Sequence, residues 1–135
     1  MRFPDWKPRL TAYLASIARA PFAPGAHDCA LFAAGCIEAM TGQDLARDLR
    51  GTYKTTKQGL KALRAAGFDG IEAYAAAHFP EIHRSEMIPG DLAIVSGEGV
   101  DWALGILQGE AVYVLTPQGL GFLPLTAISR LYAVR

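Results

Sequence analysis

The apolar positions of this chain follow one period up to about Pro89-Gly90 and another beyond it. Trp6, Leu10, Tyr13, Leu14 and Ile17 recur at three-and-four spacing, which predicts an amphipathic first helix capped by Asp5. Pro8 is compatible with it because it falls in the first turn. The stretch from Ala20 to Gly25, with two prolines and a glycine, predicts a loop. Asp28 then caps a second helix running to about Met40. Only Glu38 interrupts its apolar surface, so it is expected to be buried on most sides, with Thr41-Gly42 as the stop. Residues 43 to 54 are polar and carry a glycine turn. Thr55 or Thr56 caps a third helix, with Leu60 and Leu63 inward, Lys57, Lys61 and Arg64 on a solvated face, and Gly67 as its end signal. A short fourth helix is predicted over about 71 to 79, closed by Pro80.

Beyond Pro89-Gly90 the runs become short and β-rich: DLAIV, ALGILQ, AVYVLT, LGFLPL and RLYAVR. SGEG, QGE and TPQG separate them, and Gly109-Glu110 suits a hairpin with glycine at the first central position. Helices first and a meandering antiparallel sheet of about five strands second make an α+β domain. The expected division is a helical half at 1–88 and a sheet half at 89–135, in one domain spanning 1–135.

Composition narrows the function classes. The chain is 51% hydrophobic and 19% charged, as globular proteins are. Thirteen basic residues balance thirteen acidic ones, so no nucleic-acid or anionic-membrane surface is indicated. No apolar stretch is long enough for a membrane span, and MRFPDWKPRL lacks the apolar centre of a signal peptide. No glycine-rich phosphate loop follows a strand, and the histidines and cysteines lack the spacing of a closed zinc site. No cofactor and no metal are expected.

Candidate chemistry centres on Gly25-Ala26-His27-Asp28-Cys29. Cys29 in the first turn of a helix sits where unpaired N–H groups and the dipole favour a thiolate. The Asp28 carboxylate opposes this unless capping engages it. The competing reading is a buried thiol that packs as a small hydrophobe, and this is the reading for mid-helix Cys36. On one helix the two sulfurs are separated by about 10 Å of rise, too far for a disulfide.

Several of these features together resemble the NlpC/P60 family, papain-like cysteine peptidases that cut peptidoglycan stem peptides. GAHDCALFA at 25–33 is similar to that family's nucleophile segment, and Pro89-Gly90-Asp91-Leu92 to the turn and strand ahead of its base. Ala103-Leu104-Gly105-Ile106 falls where the family writes His-Val-Gly-Ile. The chain also resembles a small family whose genes lie among phage and prophage tail genes and gene-transfer-agent-like clusters. His27-Asp28-Cys29, Thr41-Gly42, the segment Leu49 to Tyr53 and the Ala-Leu-Gly-Ile strand carry that likeness.

The resemblance implies a papain-like fold with Cys29 at the nucleophile position and Asp28 and Asp91 in support. It also implies tail-tip or hub proteins as partners, and assembly in the host bacterial cytoplasm before residence in the virion tail. The chain departs from the enzyme pattern at the base, where Ala103 replaces the histidine. The next strand offers only Tyr113 and Thr116 as polar groups, and neither acts as a base near neutral pH. His27, His78 and His83 are the remaining imidazoles, with His27 nearest to Cys29. The expected function is therefore a non-catalytic, papain-like tail component. An active peptidase or amidase acting on cell-wall peptide through a relocated histidine is the alternative, and binding of an acyl group or wall peptide without cleavage is a third reading.

Overall fold

A computed structural model describes residues 1–97 and 100–135, with the side chains of all of these except 97 and 100–102. Four helices come first: α1 (Trp6–Ile17), α2 (Cys29–Thr41), α3 (Thr56–Ala65) and α4 (Ile71–His78). Six strands follow: β1 (Glu81–Ile82), β2 (Leu92–Gly97), β3 (Val100–Leu107), β4 (Ala111–Thr116), β5 (Gly119–Pro124) and β6 (Ile128–Tyr132). They form one antiparallel sheet in the order β1-β6-β2-β3-β4-β5. The α+β class is thus observed.

Two expectations about the sheet need correction. It has six strands, not about five, because the two-residue β1 pairs with β6 from inside the expected helical half. Its meander covers only β2 to β5, because β6 returns to lie between β1 and β2. A two-residue strand is too short to show a period of two, and strand order is a long-range property that local patterning does not carry.

The helix ends follow their caps. Asp28 Oδ1 accepts from the Leu31 N–H at 3.0 Å, and Thr55 caps α3 through Gln58. Gly42 closes α2 in the left-handed region at φ +80°. Asp5 stands at the start of α1 but makes no side-chain cap; its carboxylate pairs with Arg9 at 2.7 Å instead.

The core is built around α2. Phe32, Cys36, Ile37 and Met40 pack on Leu92, Ile94, Leu104 and Ile106, and the apolar stripe of α1 covers the other side of the helix. Tyr13 of α1 crosses α2 at Gly35, where an added Cβ would lie 2.1 Å from the Tyr13 hydroxyl oxygen. The alternate residues Ala93, Val95, Ala103, Val112 and Val114 form a second cluster on the opposite sheet face, with Leu123 and Leu125 packed against it. The sheet centre is therefore buried on both faces.

Candidate functional site

Cys29 is the first residue of α2 and packs against the second sheet cluster, which includes Ala103. Its sulfur is therefore set beside a strand instead of buried inside the helix layer. The local geometry is fixed from below by Asp28, which is 7% exposed. Asp28 Oδ1 caps α2, while Oδ2 accepts from the Gly25 N–H at 3.0 Å and from the Tyr53 hydroxyl at 2.5 Å. Its charge is thus fully taken up within the protein.

Gly25 is required there. Its φ is +82°, and an added Cβ would stand 1.8 Å from the Tyr53 carbonyl oxygen. The Gly51 N–H donates to the Gly25 carbonyl at 2.9 Å, so the 43–55 segment is tied down at two points beside the Cys29 helix start. Tyr53 as a partner of Asp28 was not apparent from sequence. Tyr53 enters the sequence reading only as the end of the Leu49 to Tyr53 segment that carries the family likeness.

Beside Cys29 opens a cleft of about 320 Å³. Cys29, Ala103 and Leu104 form part of its wall, Leu45, Leu49 and Tyr53 of the 43–55 segment another part, and Leu60 and Leu63 of α3 a third. Leu60 is therefore not an inward core residue as the helical pattern predicts. It remains 40% exposed at the cleft, because α3 turns its apolar stripe to the cleft and not to the sheet.

Burial pushes the Cys29 thiol above its ordinary pKa. The Leu104 backbone N–H pulls the other way, the Asp28 carboxylate adds to the rise, and the N–H groups of Ala30 and Cys29 oppose it. The helix start thus offers stabilising donors, but burial dominates. Cys36 is fully buried, and the loss of solvation raises its pKa further.

Among the described residues, no imidazole lines the cleft. His27 pairs its backbone with Ala23 in a tight turn, and its Nε2 is buried without a hydrogen-bond partner. Burial lowers its pKa against the pull of the Asp28 carboxylate. His78 Nδ1 lies 2.8 Å from the Tyr74 carbonyl and stacks on the Tyr74 ring. His83 is exposed and caps a short 3-10 turn at 84–86. Among the described residues, no histidine ring is hydrogen-bonded to the Cys29 sulfur.

Asp91 does not line the cleft. It is fully buried and accepts from Arg2 at 3.0 Å, Arg135 at 2.7 Å, and the Val134 and Ile88 N–H groups at 3.1 and 3.0 Å. Its role is to clamp residues near both ends of the chain to the start of β2. The clamp partners are separated by most of the sequence, and no local motif announced them.

Phe122 is 60% exposed on edge strand β5 and packs against Tyr113, while Leu123 packs into the second cluster. The Trp102 side chain and the Glu98-Gly99 part of the SGEG separator lie outside the described residues. No group of three or more His, Cys, Asp or Glu side chains is placed to hold a metal among the described residues. Among the described residues, no helix is long and apolar enough to cross a membrane.

A search among curated proteins finds no match. The family model described as a domain of unknown function, DUF6950, matches residues 1–134. With nearly the whole chain matched, the protein belongs to the DUF6950 family.

Proposed function

We propose that this chain is a non-catalytic, papain-like (NlpC/P60-like) module of a phage or prophage tail, and that its cleft binds without cutting. The observation that carries the non-catalytic part is the composition of the cleft wall. Cys29 stands at a helix start beside a sheet strand, as a papain-like nucleophile would, yet Ala103 faces the same cleft and no imidazole does. Among the described residues the only carboxylate there, Asp28, is occupied by three hydrogen bonds. A cysteine hydrolase needs a base within hydrogen-bond reach of the sulfur to form the thiolate and then to protonate the leaving amine. A tail-tip role rests on the sequence resemblance, and the exposed Phe122 on an edge strand is compatible with an assembly contact.

The second reading is an active cysteine peptidase or amidase acting on peptidoglycan stem peptides. One feature favours it: Cys29 begins helix α2, where the Leu104 and Ala30 backbone N–H groups work against the rise that burial imposes on its pKa. Alkylation of Cys29 by iodoacetamide as a function of pH separates the two. The expected profile inflects above the range of a free thiol and is unchanged by His27→Ala. An inflection well below that range, moving upward in His27→Ala, would establish the peptidase reading instead.

A further inference from the structure

We infer that the cleft beside Cys29 is a binding site for a neutral, straight hydrocarbon chain, such as the tail of an acyl or alkyl amphiphile. The inference deepens the proposed function, since it rests on the cleft acting as a binding site.

Three observations lead there. The first is size. About 320 Å³ is roughly twice the ~150 Å³ of an engineered apolar cavity that holds benzene, which leaves room for on the order of ten carbons.

The second is the state of the polar groups in the wall. Among the described residues, no Lys, Arg, His or Glu lines the cleft. Asp28 and Tyr53 satisfy each other, and the Tyr74 hydroxyl donates to the Leu45 carbonyl. Thr116 Oγ1 donates to the Gly119 carbonyl and accepts from the Gln118 N–H. A charged or strongly polar ligand would lose its hydration there and find few free partners, at a cost that burial of apolar area does not offset. A peptide backbone, with a donor and an acceptor at every residue, fits this wall poorly.

The third is α3. Thr56, Gly59, Leu60 and Leu63 fall at positions i, i+3, i+4 and i+7 and all line the cleft. Helix α3 thus directs its apolar face at the cleft, and Leu60 stays 40% exposed. An amphiphile with its tail against Leu63, Leu104 and Leu115 and its head group at the exposed Thr56–Leu60 rim would cover this surface. The tail supplies the binding free energy by removing apolar area from water on both partners.

The test uses the full chain with 1-octanol as probe and naphthalene as the planar comparator. Two readouts are followed: the rate of Cys29 labelling by N-ethylmaleimide and the thermal midpoint. At ten times its Kd, an occupant covering the thiol slows labelling about tenfold and raises the midpoint by mass action. The expected result is both effects with 1-octanol, weaker effects with naphthalene, and at least about tenfold weaker 1-octanol binding in Leu60→Asp. Leu60 is a surface position, so that variant keeps the fold; the midpoint reads binding even where labelling is slow. The inference is overturned if 1-octanol near saturation changes neither readout, if Leu60→Asp binds it equally well, or if naphthalene binds more tightly. A low Cys29 pKa would defeat the non-catalytic reading and leave this one standing. Absence of 1-octanol binding with a high-pKa thiol would do the reverse.

Discussion

The Tyr53 hydroxyl donates to Asp28 Oδ2, and by that bond a residue 25 positions downstream holds the N-cap of the central helix. Tyr53→Phe removes one of three bonds to a buried carboxylate, and its expected cost is about 1–3 kcal/mol. Asp28→Ala costs more, since it strips all three bonds including the cap, itself worth about 1 kcal/mol. Urea unfolding checks both: the midpoint should fall in that order with the slope unchanged.

His27 makes stability depend on pH in a definite direction. Burial lowers its pKa in the folded chain below the ordinary value near 6.5. Between the two values the unfolded chain binds the proton and the folded chain does not, so stability rises with pH across that interval. The contribution is present above about pH 6.5 and is lost as pH falls through the folded-state pKa. His27→Phe should flatten the pH dependence of unfolding free energy just below pH 6.5. An unchanged slope would show that His27 titrates alike in both states.

Helices α1 and α2 approach closely only because residue 35 has no side chain. A Cβ at Gly35 would meet the Tyr13 hydroxyl oxygen at 2.1 Å and ring carbons at 2.3 and 2.9 Å. Gly35→Ala should therefore cost about 1–3 kcal/mol by overpacking, despite alanine's better helix propensity. Adding Tyr13→Leu should recover part of that loss. The recovery appears as a coupling energy in a double-mutant cycle monitored by thermal or denaturant melting.

The two arginines on Asp91 should differ in worth. The Arg2 side chain is 8% exposed and that of Arg135 is 43% exposed, while Asp91 is fully buried. Arg2→Ala breaks a buried pair but leaves Arg135 bound, so a loss of about 3 kcal/mol is expected. Arg135→Ala should cost about 1 kcal/mol or less and show the stronger salt dependence. Denaturant melts at low and high ionic strength distinguish them.

What was legible in the sequence is what local chemistry fixes. The caps at Asp28 and Thr55, the stop at Gly42 and the buried character of α2 each depend on residues within a few positions of one another. The α+β order, helices before strands, follows from the change of period. The same local reading placed Leu60 inward, because a helical stripe shows which residues share a face and not what that face meets.

The site divided along the same line. The sequence determined that Cys29 would stand at the positive end of a buried helix, and that Ala103 would stand where the resemblance calls for a base. Only the tertiary structure brought Cys29 and Ala103 into one wall, left His27 outside it and closed Asp28 with Tyr53. It alone paired β6 with β2 and bound Arg2 and Arg135 to Asp91. The physical reason is range. Caps and periods are set by neighbours in the chain, whereas burial, which raises the Cys29 pKa, is a sum over groups that folding brings together from distant parts of it.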